Sequence, residues 1–222
     1  MFDESISITA NTSKIKSKRY FYYGIKRLFD IIVSGIAIIV LLPFFIVIAI
    51  LIKLDSKGTI FYKHKRIGKR GQYIYLYKFR TMYKDSNERL VEMLKDPTIK
   101  EEWETYYKLN NDPRITRIGK FLRKTSIDEL PQLLNIFNGE MSFVGPRPII
   151  DGEIEKYGEL KNYFLSVTPG LTGWWAVNGR SAITYTDRKR LELYYIKNQS
   201  IKLDIKIILK TFITVFKRNN VK

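Results

Sequence analysis

Residues 31–52, IIVSGIAIIVLLPFFIVIAILI, run for 22 positions without a charge. At about 1.5 Å of rise per helical residue, this run is long enough to cross a hydrocarbon core. Whatever else the chain builds must sit beside it. The run begins too far into the chain, and lacks the small-residue cleavage site, for a secretory signal. Both flanks are basic. Lys14, Lys16, Lys18, Arg19, Lys26 and Arg27 precede it, and Lys53, Lys57, Lys63, Lys65, Arg66, Lys69 and Arg70 follow. Basic segments stay on the cytoplasmic side of a membrane. A hairpin that enters and leaves on that face satisfies both flanks and leaves Lys18 and Lys57 exposed there. Pro43, near the middle, removes a helical hydrogen bond and favours a bend. A kinked spanning helix is compatible with the same residues.

The charge balance extends the argument beyond the membrane. Lys and Arg number 39 against 22 Asp and Glu, a formal net charge of +17. Such an excess points to nucleic acid, an anionic membrane surface or phosphorylated small molecules as partners. No nucleic-acid fold motif appears. The chain has no Cys and one His, His64. That excludes a disulfide scaffold, a Cys-ligated zinc site and a Cys nucleophile, and leaves carboxylates as the agents for any acid–base or nucleophilic chemistry. His64 reads as a strand or interfacial residue rather than a ligand.

Residues 14–30 mix basic and aromatic side chains of the kind that anchor at a membrane interface. Residues 59–65 and 72–79 read as two strands of a hairpin joined by RIGKRG. Residues 85–110 read as a charged helical excursion interrupted at Pro97. Ile115, Ile118 and Leu122 form one face of a short basic helix. Residues 128–137 read as a helix with Leu130, Leu133, Leu134 and Phe137 inward, ended by Asn138-Gly139. Two loops rich in turn residues follow, FVGPRP (143–148) and TPGLTGWWAVNGR (168–180). Residues 201–216 are amphipathic, with Ile201, Ile205, Ile208, Leu209, Phe212 and Phe216 at helical spacing and lysines between. Membrane-surface and core-facing readings of this helix are equally open.

The adjacent carboxylates Asp128 and Glu129 stand in TSIDELPQLL. One reading is structural: Ser126 and Glu129 have capping-box spacing, and Asp128 as an N-cap would place Pro131 in the donor-free first turn. The other is chemical. Arg114, Arg117, Lys120, Arg123 and Lys124 precede the pair and Arg147 follows, so phosphates could bind while one carboxylate attacks phosphorus and one helps hold a divalent metal. Lys78 and Arg80 share a strand face in YKFRTM. Arg180 follows the Asn178-Gly179 turn. Trp174 and Trp175 suit base stacking, headgroup anchoring or simple filling equally.

Taken in series, these segments resemble the bacterial sugar transferases that act on polyprenyl phosphate, the monotopic phosphoglycosyl transferases. The matching pieces are KRLFDIIVSG, the apolar run with Pro43, IKLDSKG, YKFRTM, NDPRITRIGKFLRKTSIDELPQLLNIFNGEMSFVGPRP, PGLTGWWAVNGR and NQSIKLDIKIILKT. They cover residues 26–216 in the family's order.

The resemblance implies an α-rich α+β fold with a re-entrant membrane helix (31–52), interfacial amphipathic helices (1–30 and 201–222) and a small cytoplasmic catalytic domain (53–200) with a β-hairpin. It implies transfer of sugar-1-phosphate from a UDP-sugar to undecaprenyl phosphate at the bacterial inner membrane, with UMP released. Asp128 would be the nucleophile of a covalent phosphosugar intermediate, and Glu129 would bind Mg²⁺. Lys78, Arg123 and Arg147, with Arg80 and Arg180, would bind phosphates. The excursion at 85–110 resembles the branch that transfers galactose or glucose phosphate; an N-acetylated or diacetamido sugar is the alternative. Other readings are a membrane-anchored binding module and an inactive scaffold, against which the intact Asp128-Glu129 pair argues. Membrane lipids are expected partners, and a second copy or a downstream glycosyltransferase is open. The resemblance is to a minimal version of the family, without the extra N-terminal membrane bundle expected of larger relatives. The chain also departs from the family at Leu42, where Ser is common, at Ala176 for Gln and at Glu192 for Asp, which leaves any nucleotide contact at the last two open.

Overall fold

The computed structural model describes residues 12–106, 109, 111–179 and 183–217. Helix α1 (Thr12–Asp55) is continuous and carries Pro43 inside it. The interfacial segment and the apolar run are thus one element. Pro43 has no N–H to give the Ile39 carbonyl, which is the local licence for a bend. The helix is long and apolar enough to cross a membrane, and only 11% of its most apolar window is covered by the rest of the protein.

Strands β1 (Phe61–Ile67) and β2 (Tyr73–Phe79) form the expected antiparallel hairpin, shifted by one or two residues at its starts. The connection closes because Arg70 and Gly71 both take positive φ. The charged excursion is two helices, α2 (Ser86–Met93) and α3 (Pro97–Tyr106). Pro97 opens the second, where its missing N–H costs nothing, and the Asp96 side chain accepts the Thr98 and Ile99 amides. Helix α4 (Arg117–Thr125) follows, capped by Thr116. Ile115 lies outside it and bridges to Met82 instead.

A 3-10 helix (Ile127–Gln132) then leads into α5 (Leu133–Asn138). This two-part arrangement shifts the helical phase. Ile136 and Asn135 are fully buried, whereas Leu134 and Phe137 are exposed, which corrects the expected inward face. A second, parallel sheet pairs β3 (Ser142–Val144) with β4 (Gly170–Thr172). Between them lie a 3-10 helix (Ile154–Leu160) and α6 (Lys161–Phe164). Helices α7 (Trp174–Val177), α8 (Tyr185–Lys197) and α9 (Ile201–Lys217) complete the chain.

Both halves of α1 dock on this body. Near its start, Lys26 pairs with buried Asp204 of α9 at 2.8 Å, and Tyr22 and Tyr195 donate to the same carboxylate. Arg27 donates to the Ile136 and Phe137 carbonyls at the end of α5. Asp30 accepts the Phe143 amide. In the middle, Ala37, Ile38, Leu41 and Phe45 pack against a core of Ile74, Leu76, Leu133, Ile136 and Met141. At its end, Ile48 and Ile52 share a core with Phe79 and Leu122, and Asp55 accepts the Ile118 amide that opens α4.

Helix α9 faces two ways. Ile207 is fully buried and Leu203 and Ile208 pack on the main core, whereas Ile201, Ile205, Leu209, Phe212 and Ile213 are exposed. The stripe expected from spacing is therefore mostly the outer face, and the core takes a neighbouring one. Apolar surface left bare on this scale marks contact with lipid or protein.

Candidate active site

The site is built where β2, α4 and the 3-10 helix meet. Gly119 lets α4 lie on the end of β2, since a Cβ there would strike the Thr81 backbone. Arg123, one turn on, donates from Nε to Thr81 Oγ1 at 2.8 Å. The chain then reverses at Ser126, which takes a left-handed conformation (φ 60°). Non-glycine residues adopt this region rarely, and it recurs at functional turns. Ser126 closes α4 with its N–H and caps nothing with its side chain. Asp128 is the second residue inside the 3-10 helix, so neither capping arrangement considered from the sequence is formed.

Lys78 donates to Glu129 Oε1 at 2.7 Å. Lys78 and Arg123 are also the cations that act on Asp128. Asp128 nonetheless has its carboxyl pushed up from the ordinary 3.8 to about 6, first by burial and then by the Glu129 charge. The register of Lys78 is held by Asn135. Its Oδ1 accepts the Tyr77 amide at 3.0 Å, and its Nδ2 donates to the Tyr75 carbonyl at 2.8 Å and to Glu140 at 2.6 Å. One buried amide thereby completes the edge of β2 as a neighbouring strand would.

Arg147 reaches the same cavity from the loop after β3. That loop is pinned between Gly145 and Gly170, whose backbones leave no room for a Cβ. The Arg147 amide donates to Glu192 Oε1 at 3.2 Å. Glu192 is fully buried, and Tyr157 and Arg188 also donate to it. The position where a nucleotide contact stood open is thus an anchor for the Arg147 loop. Arg66 on β1 lines the same cavity as Arg147 and escapes notice in the sequence, where it reads as one more flanking cation. Burial and Arg147 push its guanidinium down to about 10, against the pull of Glu153. The Nε atoms of Arg66 and Arg147 are buried without a protein partner. His64 lies beside them, and burial with the charges of Arg66, Lys78 and Arg147 holds it down at about 4. Trp175 lines the cavity beneath Arg147 and Arg188, whereas Trp174 stacks on Tyr194.

Lys78, Arg123, Arg147, Asp128 and Glu129 are therefore brought to one region. Arg80 has a different task. Past the end of β2 its guanidinium donates to the Ser56 and Lys57 carbonyls and to Ser56 Oγ, at 2.6 to 3.0 Å. It ties down the end of α1, where a helix presents unpaired acceptors, and these bonds leave the expected phosphate contact without support. Arg180 lies outside the described residues.

The cavity measures about 680 Å³ and touches Lys78, Glu129, Arg66 and Arg147. Among the described residues no three His, Cys, Asp or Glu side chains form a metal cage. The adjacent carboxylates suit Mg²⁺, which takes one or two carboxylates and completes its shell with substrate phosphates and water.

A sequence model described as bacterial sugar transferase matches residues 21–218. The chain belongs to the bacterial sugar transferase family. A Haemophilus influenzae protein called an uncharacterized sugar transferase is 45% identical over 96% of this chain and 44% of its own length. Exopolysaccharide production protein ExoY of Sinorhizobium fredii is 45% identical over 84% of this chain and 83% of its own. The undecaprenyl-phosphate galactose phosphotransferase of Salmonella typhimurium is 44% identical over 88% of this chain and 41% of its own. The chain spans less than half of the first and third relatives and most of the second. Within this family framework the departure at Glu192 has a structural account, and Ala176 lies on the cavity wall.

Proposed function

We propose that the protein moves a hexose-1-phosphate from a UDP-hexose to undecaprenyl phosphate and releases UMP, as the first membrane step of a surface glycan. The observation that carries this reading is the Asp128-Glu129 pair, with Lys78 and Arg123 acting on Asp128 and Glu129 lining a cavity that Lys78 and two further arginines also line. The Asp128 carboxylate attacks the β-phosphorus of the donor. The bond from that phosphorus to the bridging oxygen breaks, and UMP leaves with the electron pair. An oxygen of undecaprenyl phosphate then attacks the aspartyl phosphosugar, and the Asp128 carboxylate is released unchanged. Splitting the exchange between two anions into two steps at one carboxylate lets each be oriented separately.

Lys78 and Arg123 hold the Asp128 charge in place, and Arg66 and Arg147 suit the donor's diphosphate. Glu129, with Asp128, would hold Mg²⁺, which supplies charge neutralisation on transferring phosphates. Galactose in the name of the Salmonella typhimurium relative supports a hexose. The basic flanks of α1 and the cytoplasmic origin of nucleotide sugars favour the inner face of the cytoplasmic membrane.

The test is UMP release from lipid-embedded protein supplied with Mg²⁺, undecaprenyl phosphate and one UDP-sugar at a time. UDP-galactose or UDP-glucose should give UMP, and Asp128→Asn should abolish it. No UMP with any UDP-sugar from folded protein overturns the reading.

A further inference from the structure

We propose that the apolar part of the cavity is a track for the first prenyl units of the acceptor, which enters sideways from the bilayer between α1 and α9. This rests on the transfer reading above and extends it from the reacting phosphate to the lipid chain.

The cavity has two chemistries. Its lining includes the charged residues Lys78, Glu129, Arg66 and Arg147, and also Ala37 and Leu41 of α1 and Ile208 and Phe212 of α9, with Thr211 and Thr214 on that same helix. A volume of about 680 Å³ falls within the ordinary range of small-molecule sites. A nucleotide sugar has polar groups along its whole length and nothing to match Leu41 or Phe212. A prenyl phosphate has an anionic head and an apolar tail in this order, so its head meets the cations as its tail meets the aliphatic wall.

The rim supports the same occupant. Phe212 lines the cavity and is also 60% exposed, so it stands at the mouth. Beyond it, Leu209 and Ile213 on α9 and Ile36, Ile39 and Val40 on α1 are bare. The surface from the membrane helix to the cavity mouth is therefore apolar on both sides. A lipid chain reaches the site without leaving a hydrocarbon-like environment, and only its phosphate crosses into the charged part. Leaving the tail in contact with apolar groups avoids the cost of exposing it to water.

The experiment uses the full chain in nanodiscs and a prenyl phosphate carrying a photoreactive diazirine on its second isoprene unit. Adducts should map to Ala37 and Leu41 of α1 and to Ile208 and Phe212 of α9. Undecaprenyl phosphate should suppress them, and undecaprenol should not. Adducts confined to outward-facing Ile39, Val40 and Ile213, or indifferent to the phosphate competitor, overturn the track. As a second arm, Leu41→Trp narrows the groove and should raise the acceptor KM about tenfold relative to the donor KM. Val40→Trp, facing away, should leave that ratio unchanged. Equal KM ratios in Leu41→Trp and wild type also overturn it. If Leu41→Trp does not fold, cross-linking of the wild type decides. Wild-type protein that releases no UMP refutes the transfer reading instead, whereas cross-linking with competition still reports on the track.

Discussion

On the proposed mechanism Asp128 attacks phosphorus as its ionised carboxylate, yet burial and Glu129 hold that carboxyl up at about 6. The first half-reaction, measured as the burst of UMP without acceptor, should therefore rise with pH through about 6 and level off above it. His64 is held down at about 4 and stays neutral across that range, so His64→Gln should leave the limb where it is. The same shift has a stability consequence. Asp128 binds its proton more tightly folded than unfolded, so its contribution is full below its ordinary 3.8 and is lost as pH rises through about 6. Asp128→Asn removes that loss. Its melting temperature relative to wild type should rise across this interval, and a pH-independent difference would contradict the burial. Arg66 carries the other prediction at this scale. Its buried Nε lacks a protein partner and its side chain lines the cavity. Arg66→Gln should raise the donor KM about tenfold, the expected loss of one charge-assisted contact. An unchanged KM would make Arg66 structural.

At the scale of elements, the site depends on how β2 is held against the 3-10 helix. Asn135 does this with three hydrogen bonds from a fully buried position. In sequence it is one polar residue inside a leucine-rich stretch. The phase change at Leu133 turns it inward. Asn135→Ala leaves the Tyr77 amide and the Tyr75 carbonyl without that partner, at about 1–3 kcal/mol for each buried group left unpaired. Thermal unfolding should show that loss, and UMP release should fall even below the melting transition because Lys78 loses its register toward Glu129. Full activity in a destabilised variant would separate the strand edge from the site.

Across the whole molecule, the apolar helix and the body that carries the Asp128-Glu129 pair are one unit. Lys26, Arg27 and Asp30 bond to the body near one end of the apolar run, and Ile52 and Asp55 near the other. A helix crossing a bilayer alone would have to carry one of those contacts through the hydrocarbon. Docking at both ends holds the two basic flanks against the same body, as a hairpin entering and leaving on one face of the membrane would require. The chain has no native Cys, so Lys18→Cys and Lys57→Cys can be read in a clean background. Both should react with an impermeant thiol reagent from the cytoplasmic side only. Labelling from opposite sides would establish a spanning helix.

Features governed by local chemistry are legible in the sequence: the long apolar helix from its uncharged length, the hairpin from its turn residues, and the carboxylate pair from its basic surroundings. The family resemblance adds the reaction. The fold sets Lys78 and Arg123 beside Asp128 and Glu129 and brings Arg147 to the cavity that Lys78 and Glu129 line. The remaining assignments depend on partners far away in the chain. Arg80 and Lys78 are two residues apart on what reads as one strand face, and only the nearby end of α1 turns one of them into a helix cap. Arg66 differs from the neighbouring surface lysines only because Arg147 and Glu153 close over it. Glu192 is an anchor because Tyr157, Arg188 and the Arg147 amide all reach it. A charged side chain's role follows from what surrounds it after folding, since burial and opposing charge are properties of the packed chain and not of its spacing.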